Sequence, residues 1–194
     1  MSNNGADLLA IDSERLKAEY AAYETWLERR TEEVYQLASE AKSKGLDFEN
    51  FVEIPRASDL ASRTEKLLET YLDGMKIEDD LRALLLTTDR ESASIQIAID
   101  VSKKMHEDTG DLQKSIDCGL RVGLAVLTEA VLVAPLDGIG DVRILNNADG
   151  SEFLSIDFCG PIRAAGGTAQ ALGVLIGDSI RRELGVSRYI PTTP

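Results

Sequence analysis

The sequence predicts a mainly helical α+β protein, with a long N-terminal amphipathic helix and a small β-hairpin packed on helices. Three observations carry this. Apolar residues recur at three- and four-residue steps through most of the first 130 positions, as helices with a buried stripe require. Period-two alternation appears around Val142 and again from Phe153 to Phe158, with Asp149-Gly150 between as a hairpin turn. A long apolar helical pattern then follows Thr168. The chain has 194 residues, enough to bury about 70% of its unfolded surface without disulfide support.

Residues 1–7 are expected to fray. Residues 8–44 form a helix in which Leu16, Tyr20, Tyr23, Leu27, Val34, Leu37 and Ala41 fall at alternating four- and three-residue steps, with Arg30 in the one remaining seam position. Trp26 widens this stripe. The seam suits either packing within the chain or docking on another subunit. Gly45 ends the helix. Residues 1–45 thus read as a long amphipathic segment with a possible subunit contact, and 46–194 as a helical core. In the connection after Gly45, Phe48, Phe51 and Ile54 can pack onto neighbouring helices.

A second helix is expected from Ser58 to Gly74, burying Leu60, Thr64, Leu67, Leu68, Tyr71 and Leu72, and a third over residues 77–86. Thr88 and Glu91 are spaced as a capping box for a fourth, which Gly110 breaks. The fifth, residues 112–133, is apolar on more than one face, with Arg121 and Glu129 facing the rim, each other or backbone groups. Pro135 forces an exit. Residues 142–145 and 153–158 form the hairpin. After Gly160-Pro161 comes a turn carrying Arg163, Gly166 and Gly167, then a last helix with Thr168 as candidate N-cap and Arg181 and Arg182 complementing its dipole. Gly173 and Gly177 lie four apart on one face of that helix, which implies a close approach by a neighbour.

Cys118 and Cys159 read as buried thiols in a reducing compartment, and His106, the single histidine, as a solvated helix-terminal residue. A His-based triad or multi-histidine metal site is therefore excluded. Asp137, Asp141 and Asp157 form no D-x-D pair and read as turn or surface residues rather than metal ligands. No G-x-x-x-x-G-K-S/T sequence is present, which disfavours P-loop nucleotide binding. On its own residues this chain is not an enzyme. The formal net charge of -13 is not the basic footprint of a free-standing nucleic-acid binder. Residues 1–110 carry 24 acidic and 14 basic side chains against 10 and 7 in residues 111–194, so any polyanion contact belongs in the latter part, with Arg121, Arg143, Arg163, Arg181, Arg182 and Arg188. No signal peptide or membrane span is evident, and the expected location is cytoplasmic.

The one anion-site candidate is residues 160–168, where Arg163 stands beside amides that Gly166, Gly167 and Thr168 expose at a helix start. A tight strand-to-helix connection that binds nothing is the competing reading.

Two blocks, RVGLAVLTEAVLVAPLDGIGDVRI (121–144) and FLSIDFCGPIRAAGGTAQALGVLIGDSIRRELGVSRYIPT (153–192), resemble the N-terminal region of the large subunit of archaeal family-D DNA polymerase, also called DNA polymerase II. T-E-x-V-x-V-A-P-L-x-G-I and G-P-I-R-x-A-G-G-T-A-x-A carry the resemblance, with Cys159 standing where the family usually has alanine. The resemblance implies a heterodimer whose large subunit synthesises DNA on a primer–template and whose small subunit is a 3′–5′ exonuclease. It implies Mg²⁺ and structural zinc in the full-length protein but no cofactor in these 194 residues, because the polymerase carboxylates and zinc modules lie downstream. A non-catalytic N-terminal domain is the leading expectation. The alternatives are a helical protein–protein module, self-associating or docking through Leu16, Tyr20, Tyr23, Trp26, Leu27, Val34 and Leu37, and a phosphate-ligand-binding domain built on residues 160–168.

Overall fold

The computed structural model describes residues 13–46, 57–130, 136–164 and 167–191. The chain divides into two units, Met1–Val52 and Glu53–Pro194. The described part of the first is one 31-residue helix, α1 (Ser13–Ser43), ended by Gly45 at φ 68°. Its seam is not buried: Leu16 is 49% exposed, Leu27 46% and Leu37 66%. Phe48, Phe51 and Ile54 lie outside the described residues.

The second unit contains α2 (Leu60–Leu67), α3 (Glu69–Leu72), α4 (Glu78–Thr87), α5 (Arg90–Thr109), α6 (Leu112–Leu127), β1 (Ile139–Asn146), β2 (Glu152–Phe158), α7 (Gly160–Ala164) and α8 (Gly167–Glu183). α5 and α6 form the middle layer, in extensive contact along their lengths. On one side Leu68, Leu72 and Leu81 meet Ile97, Val101, Cys118 and Val122. On the other, Leu120 and Leu124 meet Ile139, Val142, Ile162, Ile176 and Ile180. This two-sided burial explains why α6 reads as apolar on more than one face, and each fully buried Leu or Ile stabilises by about 1.5–3 kcal/mol.

Several boundaries differ from the sequence reading, each for a local reason. The second expected helix is broken at Leu68 and stops where Asp73 and Gly74 turn left-handed. α5 is capped by Asp89, whose carboxylate accepts from Ser92 N at 2.8 Å, and not by Thr88 one residue earlier. α6 ends at Leu127, six residues before the expected end, because Glu129 and Ala130 adopt φ of 56° and 52° and Ala130 N donates back to Ala125 O at 2.6 Å. α4 has no side-chain cap of its own. Glu65 of α2 supplies one, accepting from Ile77 N and Glu78 N at 2.8 Å each. Burial pushes the Glu65 carboxyl up, but those two bonds and Lys76 outweigh it and hold the group below its ordinary value.

β1 and β2 pair antiparallel from Ile139↔Phe158 to Asn146↔Glu152, with a bulge between Ile139 and Asp141. Gly140 sits at the bulge, where a Cβ would stand 2.3 Å from Cys159 Sγ. Asn147, only 7% exposed, ties the hairpin turn to the chain after α8: its Nδ2 donates to Arg188 O at 3.0 Å and its Oδ1 accepts from Ile190 N at 2.8 Å. Among the described residues no helix is long and apolar enough to cross a membrane.

Candidate functional site

The site is built on the succession β2–α7–α8. Leu154, Ile156 and Phe158 alternate along half-buried β2 and point at α8, where Gly173 and Gly177 leave room for them. A Cβ on Gly173 would stand 2.9 Å from the Phe158 ring, and one on Gly177 would stand 2.7 Å from Ile156 Cδ1. The close approach expected of this glycine pair is therefore made, against strand side chains. Phe153, on the opposite face of β2, packs at 5.0 Å between ring centroids on Tyr189.

The connection after β2 is not an open turn. Gly160 takes φ 23° and opens the five-residue helix α7, and Cys159 N donates to Gly138 O at 2.9 Å. Ile162 is buried against the second core cluster and so anchors α7, turning its neighbour Arg163 out to solvent. Arg163 forms no ion pair among the described residues. Gly166 lies outside the described residues, and Gly167 begins α8. Thr168 is exposed inside the first turn of α8, so it is not the N-cap that the sequence suggested.

Most of the other candidate arginines are spent elsewhere. Arg143 bridges Asp157 at 2.5 Å and Asp141 at 3.4 Å. Arg181 and Arg182 both hold Asp178 on α8, the latter at 2.6 Å. Arg121 is buried at 6% exposure: its Nε donates to Asp117 at 3.0 Å, its Nη1 to Leu136 O at 2.8 Å and its Nη2 to Ile139 O at 3.2 Å, and it stacks 4.4 Å over the Tyr71 ring. The guanidinium thus fastens α6 to the start of the hairpin, with the planar fork that only arginine offers. Glu129, by contrast, pairs with Arg90.

Among the described residues the acidic groups are paired or apart rather than clustered. Asp141 and Asp157 face one another through Arg143, and no group of three or more His, Cys, Asp or Glu among the described residues is placed to hold an ion. A cleft of about 520 Å³ between the α6 start and β1 is lined by Asp111, Asp117 and Asp141, with Lys114 and Arg121 as its cations. Lys114 is already on Asp73 at 2.8 Å, so the cleft offers little to a phosphate. Cys118 is buried and its thiol is pushed up to about 12, by burial first and by Asp117 second. Cys159 is exposed, not buried as its sequence context suggested. His106 is half-buried rather than solvated.

Sequence reasoning missed Asn147 and Glu65. Both act on backbone groups far along the chain, and neither belongs to a spaced motif.

The family described as "DNA polymerase II large subunit DP2, N-terminal" matches residues 22–194. The DNA polymerase II large subunit of Thermoplasma acidophilum is 46% identical over 171 residues, covering 88% of this chain and 15% of that one. That of Thermoplasma volcanium is 47% identical over 171 residues, with the same coverage. The Pyrococcus furiosus subunit is 40% identical over 179 residues, covering 91% of this chain and 14% of the relative. The chain thus spans about 15% of the length of its two Thermoplasma relatives.

Proposed function

The chain belongs to the family formed by the N-terminal part of the DNA polymerase II large subunit, and on that premise we propose that it serves as a non-catalytic domain of a DNA-directed DNA polymerase. The family match over residues 22–194 carries this reading. What supports the non-catalytic role is the state of the charged groups: Asp141 and Asp157 of the hairpin are both paired with Arg143, and buried Arg121 is committed to fastening backbone. Nucleotidyl transfer needs carboxylates held together on one rigid site and free to bind metal.

In this reading the whole protein synthesises DNA with Mg²⁺ on carboxylates outside these 194 residues, and carries structural zinc there as well. Its relatives are named as large subunits, which supports a partner subunit; we assign that partner the 3′–5′ exonuclease. The domain acts in the cytoplasm as scaffold and as part of the DNA path, with Arg163 and the α8 start touching backbone phosphate.

The 194-residue chain, mixed with primer–template, deoxynucleotides and Mg²⁺, is expected to give no extension. Extension by the purified chain would show that a catalytic centre lies within it and would end the proposal.

A further inference from the structure

α1 carries an apolar seam whose flanks specify what can cover it. Leu16, Tyr20, Tyr23, Leu27, Val34 and Leu37 are all exposed, between 46% and 66%. Trp26 stacks on Tyr23 at 5.8 Å and broadens the stripe at its middle. Alternating steps of four and three are the spacing of a helix that buries this face against another helix.

The charges beside the seam are one-sided. One flank holds Glu19, Glu33 and Glu40 around Trp26; the other holds Glu24, with Lys17 as the single cation on either flank within Ser13–Ser43. Arg15 holds Glu19, Arg30 holds Glu33 and Lys44 holds Glu40, but these exposed pairs along one helix are solvent-screened and readily exchanged for a partner's cation. Arg30 itself occupies a seam position, where a facing carboxylate would satisfy it.

A second copy of the helix fits this pattern badly. Paired parallel and in register, it would set Arg30 against Arg30 and Glu19 against Glu24, and paired antiparallel it would set the glutamate flank against itself. An anionic lipid surface calls for lysine and arginine beside the apolar face, and here glutamate stands there. We propose that the α1 seam receives an apolar partner helix flanked by lysine or arginine, in a coiled-coil contact with a partner carboxylate opposite Arg30. The inference stands on α1 alone and does not depend on the polymerase reading.

Trp26 is the only tryptophan, so its emission reports on the seam directly. The probe is a synthetic peptide of about 28 residues with about four heptads, leucine at the seam positions, lysine on both flanks and one glutamate in the layer facing Arg30. It is expected to shift Trp26 emission to the blue and to saturate at one peptide per full chain. A peptide with glutamate flanks should bind at least about tenfold more weakly, and one with glutamine opposite Arg30 about fivefold more weakly. The chain carrying Leu27→Glu and Leu37→Glu, both changes at exposed positions, should keep its far-UV circular dichroism and lose the shift. Four results would each overturn the proposal: equal binding of the lysine peptide by that double variant, which would mean mere attraction between a basic peptide and an acidic protein; no shift with either peptide; sedimentation as a dimer at low micromolar concentration with Trp26 already blue-shifted; or a shift on phosphatidylglycerol vesicles.

Discussion

Arg163 illustrates how far a single residue can be read. Its sequence context is a cation beside glycines at a helix start. The structure adds that Ile162 anchors α7 and leaves Arg163 exposed, with no ion pair among the described residues, whereas Arg143, Arg181 and Arg182 are engaged by aspartates. On the proposed function, Arg163→Ala in the whole large subunit is expected to weaken DNA binding to a similar degree across sequences. Removing one cation from the DNA backbone should make the slope of log affinity against log salt shallower by about 0.9 on duplex. Fluorescence anisotropy over a salt series measures it, and an unchanged slope would reduce the connection to a packing element. Arg121 was harder to read, because its partners at Leu136, Ile139 and Tyr71 are 15, 18 and 50 positions away and no spacing rule connects them. Asn147 was illegible for the same reason, with acceptor and donor at Arg188 and Ile190.

Elements were legible where a period repeated and illegible where one residue decided the end. The alternation of β2 and the Gly173–Gly177 pair of α8 are two periodicities that meet in one interface, and both were visible in sequence. The end of α6 was not: two non-glycine residues, Glu129 and Ala130, take left-handed backbone there, and the first conventional stop signal is Pro135. Glycines on α6 and α8 also differ in what they permit. A Cβ on Gly119 of α6 would stand 1.9 Å from Ser102 Oγ and 2.4 Å from Ala98 O, so the α5 backbone itself is in the way. Gly119→Ala is expected to destabilise by about 3 kcal/mol, since α5 and α6 would have to separate. On Gly177 the nearest atom is Ile156 Cδ1 at 2.7 Å, the movable end of a side chain. There the gain in helix propensity, about 1 kcal/mol, offsets the displacement, and Gly177→Ala should stay within about 0.5 kcal/mol of the parent. Urea unfolding of both variants checks the contrast, and equal effects would mean that the α5–α6 contact is no tighter than the α8–β2 contact.

At the scale of the whole molecule, two electrostatic effects pull against each other as pH falls. The net charge of -13 at pH 7 shrinks toward zero near the sequence pI of about 4.5, which relieves self-repulsion in the compact state. Against this stand carboxylates held below their ordinary values: Asp59 by Arg82 and then Ser62 N, Glu65 by bonds that outweigh its burial, Asp73 by Lys114, Asp89 by Ser92 and Asp149 by Ser151. A depressed group contributes stability that is present above its unfolded value, 3.8 for aspartate and 4.5 for glutamate, and is lost as pH falls through the lower folded value. Lys76, Lys103 and Lys114 are raised by Glu65, Glu183 and Asp73, so their contribution is present below 10.5 and is lost only as pH rises through a still higher folded value. Relief of repulsion is complete by the pI, whereas loss of the paired carboxylates has then barely begun. The melting temperature should therefore rise with added salt at pH 7, become insensitive to salt near pH 4.5, and fall below about pH 4 whatever the salt. Glu65→Gln, which keeps the shape of the group capping α4 but cannot ionise, should lower the melting temperature at pH 7 and flatten the fall below about pH 4. Circular dichroism melts from about pH 3 to 9 at two salt concentrations decide it. A melting temperature that holds steady from about pH 4.5 down to about pH 3 would show that the paired carboxylates do not govern the acid stability of this fold.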